Sequence, residues 1–318
     1  MRRLEHLSQH LLPRPVAAPL DLPAEAAGLA RRDRTRRDTT PRQKTQFSPV
    51  EWEARCKLAV AYRLAAHYGW DQLVFNHITL KVPESDLLSD GPHFLINPFG
   101  LRFDEVTASS LLKVDLDGNV VDKGTNQGPL FKQGFVVHSA VHAARPDITC
   151  VWHCHHADTV AVVTSTAGFL PLTQEAISQW GLFSYHPFEG SAVDLDERQR
   201  MANNLGPKNK VLLLENHGPL TAGGSVEEAF FRMYMVTLSC TWQVKAMAAV
   251  GGDLSKLRVP SGEYLASLKQ RDERIAAKSA TSKDDVDRKN ESYNEVEAMW
   301  HAARRLMESF HGPASIYC

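Results

Sequence analysis

Apolar residues along the chain follow two periods. Short runs rich in β-branched and aromatic residues predict buried strands: Ile148-Thr149-Cys150-Val151-Trp152 and Val211-Leu212-Leu213-Leu214 are the clearest. Residues 73–80, 93–99 and 112–116 read as shorter strands, and 171–174 and 182–188 as short strands or loops. The turn at Asp117-Gly118 and the short loops between strands predict antiparallel pairing. Helices begin at recognisable signals. Ser48-Pro49-Val50-Glu51 is a capping box with Pro at the first helical position, and Gly69 should stop that helix near Tyr68. A short helix is expected from Thr107, and further helices over 135–144 and 157–166. Another opens at Asp194-Leu195-Asp196-Glu197, with acids in its first turn. Ser225-Val226-Glu227-Glu228 caps a long, mostly apolar helix to about Val250, which should be buried or packed at a subunit contact. Ser292-x-x-Glu295 should cap a last helix. Its stripe of Val296, Met299, Trp300, Ala303, Leu306, Met307 and Phe310 should dock on the core, with a neighbouring subunit as the alternative.

The ends of the chain depart from this pattern. In residues 1–45 Arg and Lys outnumber Asp and Glu two to one, with several prolines and almost no aromatics, so this part reads as a disordered basic arm. A transit peptide or an arm for an anionic partner is the other reading. Residues 46–251 read as the folded domain, and 252–318 as a polar linker followed by the C-terminal helix. A net charge of −1 provides no global basic field, so nucleic acid is not an expected partner. No run of about 18 apolar residues occurs, so no membrane span is expected. The five cysteines are odd in number and scattered, which fits a reducing, cytoplasmic compartment.

Candidate chemistry sits at the ends of the two clearest strands. Strand alternation puts His153 and His155 on one face and Cys154 on the other. His217 ends the second run, before Gly218. If the two ends meet, three imidazoles converge as a facial metal set with open positions. Packed, hydrogen-bonded histidines are the alternative. His138 and His142 lie four apart on one predicted helical face, a spacing that serves a metal or plain packing.

Several stretches in order resemble the class II aldolase/adducin family. They are Phe75-Asn76-His77-Ile78-Thr79, Ile96-Asn97-Pro98-Phe99-Gly100-Leu101, residues 134–147, His153-x-His155, Gln174-Glu175-Ala176, residues 205–208 and Glu215-Asn216-His217-Gly218. The Gly-Phe-Val-x-His-Ser-Ala-x-His segment is closer to the adducin-like branch. The resemblance implies an α/β fold with three α/β/α layers around a mostly antiparallel central sheet, and a homo-oligomer, with a tetramer favoured. It implies that His153, His155 and His217 bind a divalent metal, zinc above all, and that Asn76, Asn97 and Gly100 stand where the family binds substrate. One departure is clear. The aldolase branch carries its proton-transfer Glu where this chain has Gly134. His138 and Glu175 are the first candidates to replace it, with His142, Tyr185 and His186 behind them.

Three functions follow from the resemblance. The first is a metal-dependent carbon–carbon lyase on a small hydroxy-carbonyl substrate. A second is a non-haem Fe(II) oxygenase on an aromatic oxo or hydroxy acid, using the same histidines. The third is a non-catalytic, adducin-like interaction protein.

Overall fold

The computed structural model describes residues 47–87, 89–125, 128–190, 195–268 and 294–317. The proposed basic arm lies outside these residues, as does much of the proposed linker. The first helix, α1 (Pro49–His67), starts where the sequence indicates, with Ser48 Oγ accepting from the Glu51 N–H at 3.1 Å. Glu51 does not complete the capping box. Its carboxylate accepts from Arg55 Nε at 2.9 Å and Lys113 Nζ at 3.0 Å. Arg55 is fully buried, and needs these partners and the Leu111 carbonyl (2.8 Å) to tolerate that position.

The strands are β1 (His77–Lys81), β2 (Phe94–Ile96), β3 (Leu112–Val114), β4 (Val120–Asp122), β5 (Cys150–His153), β6 (Phe183–His186), β7 (Val211–Leu214) and β8 (Gly218–Gly223). They form one sheet in the order β4-β3-β2-β1-β5-β8-β7-β6. Every neighbouring pair is antiparallel except β6 and β7. Helices cover both faces. On one side α1, α6 (Val226–Ala249) and α7 (Glu295–His311) pack over Ile78, Leu80 and Trp152. On the other, α2 (Lys132–Ala144) and α5 (Leu195–Leu205) pack over Val151, Leu212 and Leu220. Alternation along each strand sorts the residues between these layers.

Five features depart from expectation. The stretch from Thr107 is a turn closed by the Ser110 N–H on the Thr107 carbonyl, not a helix. Residues 73–76 are not strand; Leu73 takes a φ of 53° in the loop before β1. Strand β8 has no counterpart in the hydrophobic pattern. The last helix is capped by Asn294, whose Oδ1 accepts from the Glu297 N–H at 3.3 Å; Ser292 lies outside the described residues. Trp300, Ala303 and Met307 of α7 do bury in the core, but Phe310 stays 65% exposed, so the docked stripe is narrower than its sequence period.

Candidate metal centre

The site forms at one end of the three central strands. Register places His77 of β1 directly opposite His153, the last residue of β5. β5 in turn pairs with β8, with His153 opposite Leu220. The tight turn from β7 to β8 then carries His217 to the same edge. Asn216 takes the left-handed conformation there (φ 57°), which Asn tolerates better than most residues. Gly218 is required for a different reason. A Cβ at that position would lie 2.4 Å from the Cys154 carbonyl oxygen, so only glycine lets the turn close on β5.

His153, His155 and His217 each bring a ligand-capable nitrogen within 4.8 Å of the others. The His153 Nδ1–H donates to the Pro219 carbonyl at 3.0 Å, and the His155 Nδ1–H donates to Gln72 Oε1 at 2.6 Å. Both acceptors fix the tautomer, so both Nε2 atoms carry lone pairs, and these stand 3.0 Å apart. Two lone pairs at that separation repel unless a cation lies between them. Burial pushes His217 down to about 4 and holds His153 far below its ordinary range, so the rings are neutral and fit to coordinate. Cys154 points away into the core, its Sγ 3.5 Å from Met233 Sδ, and burial pushes its thiol up to about 12. The donor set is therefore three imidazoles, with outer acceptors of the kind that orient metal-binding histidines.

The three rings open onto a cavity of about 360 Å³, also lined by Gln72, Phe75, His77, Phe131, Gln133 and Phe188. No Lys or Arg is among its described lining residues. His77 is the residue that sequence reasoning missed. Gly134 makes room for it, since a Cβ there would lie 2.4 Å from His77 Nε2. The ring occupies the space that a side chain at 134 would need.

The remaining expected residues fall elsewhere. His138 has no exposed surface, and its Nε2 meets His77 Nδ1 at 2.7 Å, so His138 reaches the cavity only through His77. Glu175 sits in the first turn of the short helix Gln174–Ser178, outside the cavity lining. Asn97 is tied into the fold by Tyr62, whose hydroxyl lies 2.8 Å from Asn97 Oδ1 and accepts from the Asn97 N–H at 3.1 Å. Gly100 lies in an exposed turn after β2. Asn76 is buried beside His77, with neither amide atom paired. None of these three lines the cavity. Tyr185 is spent on the Phe169 N–H, at 2.8 Å. Asn204 Nδ2 donates to His186 Nδ1 at 2.8 Å, so His186 Nε2 carries a proton and points it toward Glu197, 3.7 Å away.

Comparison with known proteins agrees with this architecture. Residues 56–244 match the profile described as Class II Aldolase and Adducin N-terminal domain. Alpha-adducin of Rattus norvegicus is 46% identical over 212 residues, which is 67% of this chain but only 28% of that protein. A Caulobacter vibrioides protein named for the class 2 aldolases is 45% identical over 212 residues, covering 66% of this chain and 78% of its own. The crystal structure of an aldolase II superfamily protein from Pseudomonas syringae superposes with a TM-score of 0.73 at 38% identity, covering 86% of this chain and 98% of that one. Profile, relatives and fold agree, and the chain belongs to the family of class II aldolase and adducin N-terminal domains.

Proposed function

We propose that the chain is a metal-dependent carbon–carbon lyase of the aldolase type, acting on a small hydroxy-carbonyl substrate. The observation that carries this reading is the convergence of two Nε2 lone pairs at 3.0 Å, each ring fixed by an Nδ1 acceptor, with His217 beside them. His153, His155 and His217 hold the ion, for which we propose zinc. Bound there, a divalent ion supplies Lewis acidity to a carbonyl oxygen. The chain's own residues do the rest. Phe75, Phe131 and Phe188 wall the substrate in and limit water, and His77 faces it beside the metal ligands. A homo-tetramer is the assembly we propose.

The test is aldehyde release from a panel of hydroxy-carbonyl compounds under nitrogen, with and without prior chelation. Metal-dependent release supports the lyase. Oxygen uptake with an aromatic 2-oxo or 2-hydroxy acid, and no anaerobic cleavage, would assign Fe(II) oxygenase chemistry to the same three histidines, which suit iron as well as zinc. A non-catalytic role is a second reading, supported by the 46% identity to alpha-adducin. Activity toward neither panel, in protein that holds metal, would favour it.

A further inference from the structure

Behind the cavity, four polar side chains form one buried line. His77 Nδ1 meets His138 Nε2 at 2.7 Å, and His138 Nδ1 meets Thr79 Oγ1 at 2.7 Å. Thr79 Oγ1 meets His142 Nε2 at 2.8 Å, and His142 Nδ1 meets the Ile148 carbonyl at 3.4 Å. Every member of the line is buried. Burial pushes His142 down to about 3 and His138 far below its ordinary range, so each ring carries one proton rather than two.

A line of single-proton groups can run in only two directions, and its end decides between them. The Ile148 carbonyl can only accept, so His142 Nδ1 carries the proton and His142 Nε2 is an acceptor. Thr79 must then donate to His142 and accept from His138 Nδ1–H. His138 Nε2 is left to accept from His77 Nδ1–H. The opposite direction would set the His142 Nδ1 lone pair against the carbonyl lone pairs. It would also turn His77 into a donor toward the cavity.

We infer that His77 presents an unprotonated Nε2 to the cavity, set by the Ile148 carbonyl through His142, Thr79 and His138, and selects substrates that place a hydroxyl donor beside the metal ligands. This rests on the proposed metal site for its location, but not for its polarity. An anionic oxygen at the same place would face a lone pair and is disfavoured. His77 is the specificity-determining contact; His138, Thr79 and His142 are positioning residues. Gly134 completes the arrangement, because any side chain there evicts the ring.

Two measurements test this on the full chain. Neutron crystallography of the perdeuterated protein should show a deuteron on His77 Nδ1 and none on Nε2. A deuteron on Nε2 overturns the inference. The second measurement compares glycolate with methoxyacetate, which has the same carboxylate but no hydroxyl proton, by calorimetry on zinc-loaded protein. Glycolate should bind at least about tenfold more tightly, the size of one hydrogen bond that leaves no buried partner unpaired. Thr79→Val should erase that preference while metal content stays at the wild-type level, and Thr79→Ser, which keeps the hydroxyl, should restore it. Equal binding of the two probes by the wild type, no binding of either, or an unchanged preference in Thr79→Val overturns the inference. Neither probe undergoes carbon–carbon cleavage, so failure of the lyase reading alone leaves these results intact. Loss of metal from wild-type protein identifies failure of the metal site instead.

Discussion

The proposed metal ligands differ in how firmly each ring is held. His153 donates to a backbone carbonyl inside the sheet, whereas His155 lies past the end of β5 and depends on the side chain of Gln72. Replacing Gln72 by Ala should therefore weaken metal affinity by about 10- to 100-fold without unfolding the protein, the usual effect of losing an outer partner of a metal-binding histidine. Competition with a metallochromic chelator measures it; an unchanged affinity would mean that Gln72 does not orient His155. At this scale the three histidines that converge were legible in the sequence, because His-x-His at the end of a strand and His-Gly after an apolar run are local signals. His77 was not. It sits within an apolar stretch like any packed histidine, and only cross-strand register places it opposite His153. His138 lies behind His77 rather than on the cavity, and sequence spacing cannot tell a cavity-facing ring from the one behind it.

The β7–β8 hairpin is the element that brings His217 to β5. Gly218→Ala should force the turn away from Cys154, because its Cβ would meet backbone rather than a flexible side chain. The expected cost is about 1–3 kcal/mol in stability, together with loss of tight metal binding. Urea denaturation and metal titration on the same preparation check both; a variant with wild-type values would show that the approach is not tight. This hairpin was only half visible in the sequence. β7 is four aliphatic residues in a row, but β8 reads Gly-Pro-Leu-Thr-Ala-Gly, whose Gly and Pro signal a turn. The contacts β8 makes with β5 on one side and β7 on the other override that local preference. The C-terminal helix α7 is a second element with a definite expectation. Trp300 is buried in the same core cluster as Phe230 of α6, their rings 5.9 Å apart. Trp300→Ala should cost about 3–5 kcal/mol, read as a lowered denaturation midpoint, if α7 is part of the core rather than an appendage.

Across the whole molecule, burial of neutral histidines links stability to pH. His142 titrates at about 3 in the fold against 6.5 ordinarily, and His138 lies well below its ordinary value. Between those limits the unfolded chain takes up protons that the folded chain refuses. Stability is therefore complete above about pH 7 and declines as pH falls from 6.5 toward 3, each such ring contributing a loss that approaches about 1.4 kcal/mol per pH unit across that window. The urea midpoint of metal-free protein should fall steadily below pH 6.5 and stay level above it as far as these groups contribute. A level midpoint across pH 4–6.5 would mean that the rings are not held neutral. At this scale the α/β layers and the mostly antiparallel sheet were readable from motif order. The joining of β1 to β5 and of β5 to β8 was not, because pairing between distant strands leaves no local trace.

Three imidazoles from two separate strand ends are proposed to grip one cation. Elemental analysis of anaerobically purified protein tests this most directly, with His155→Ala run alongside. About one zinc or iron per chain is expected in the wild type, as a three-histidine site requires, and a sharply reduced content in the variant at unchanged folding. Negligible metal in the wild type, or the same content in both, would contradict it.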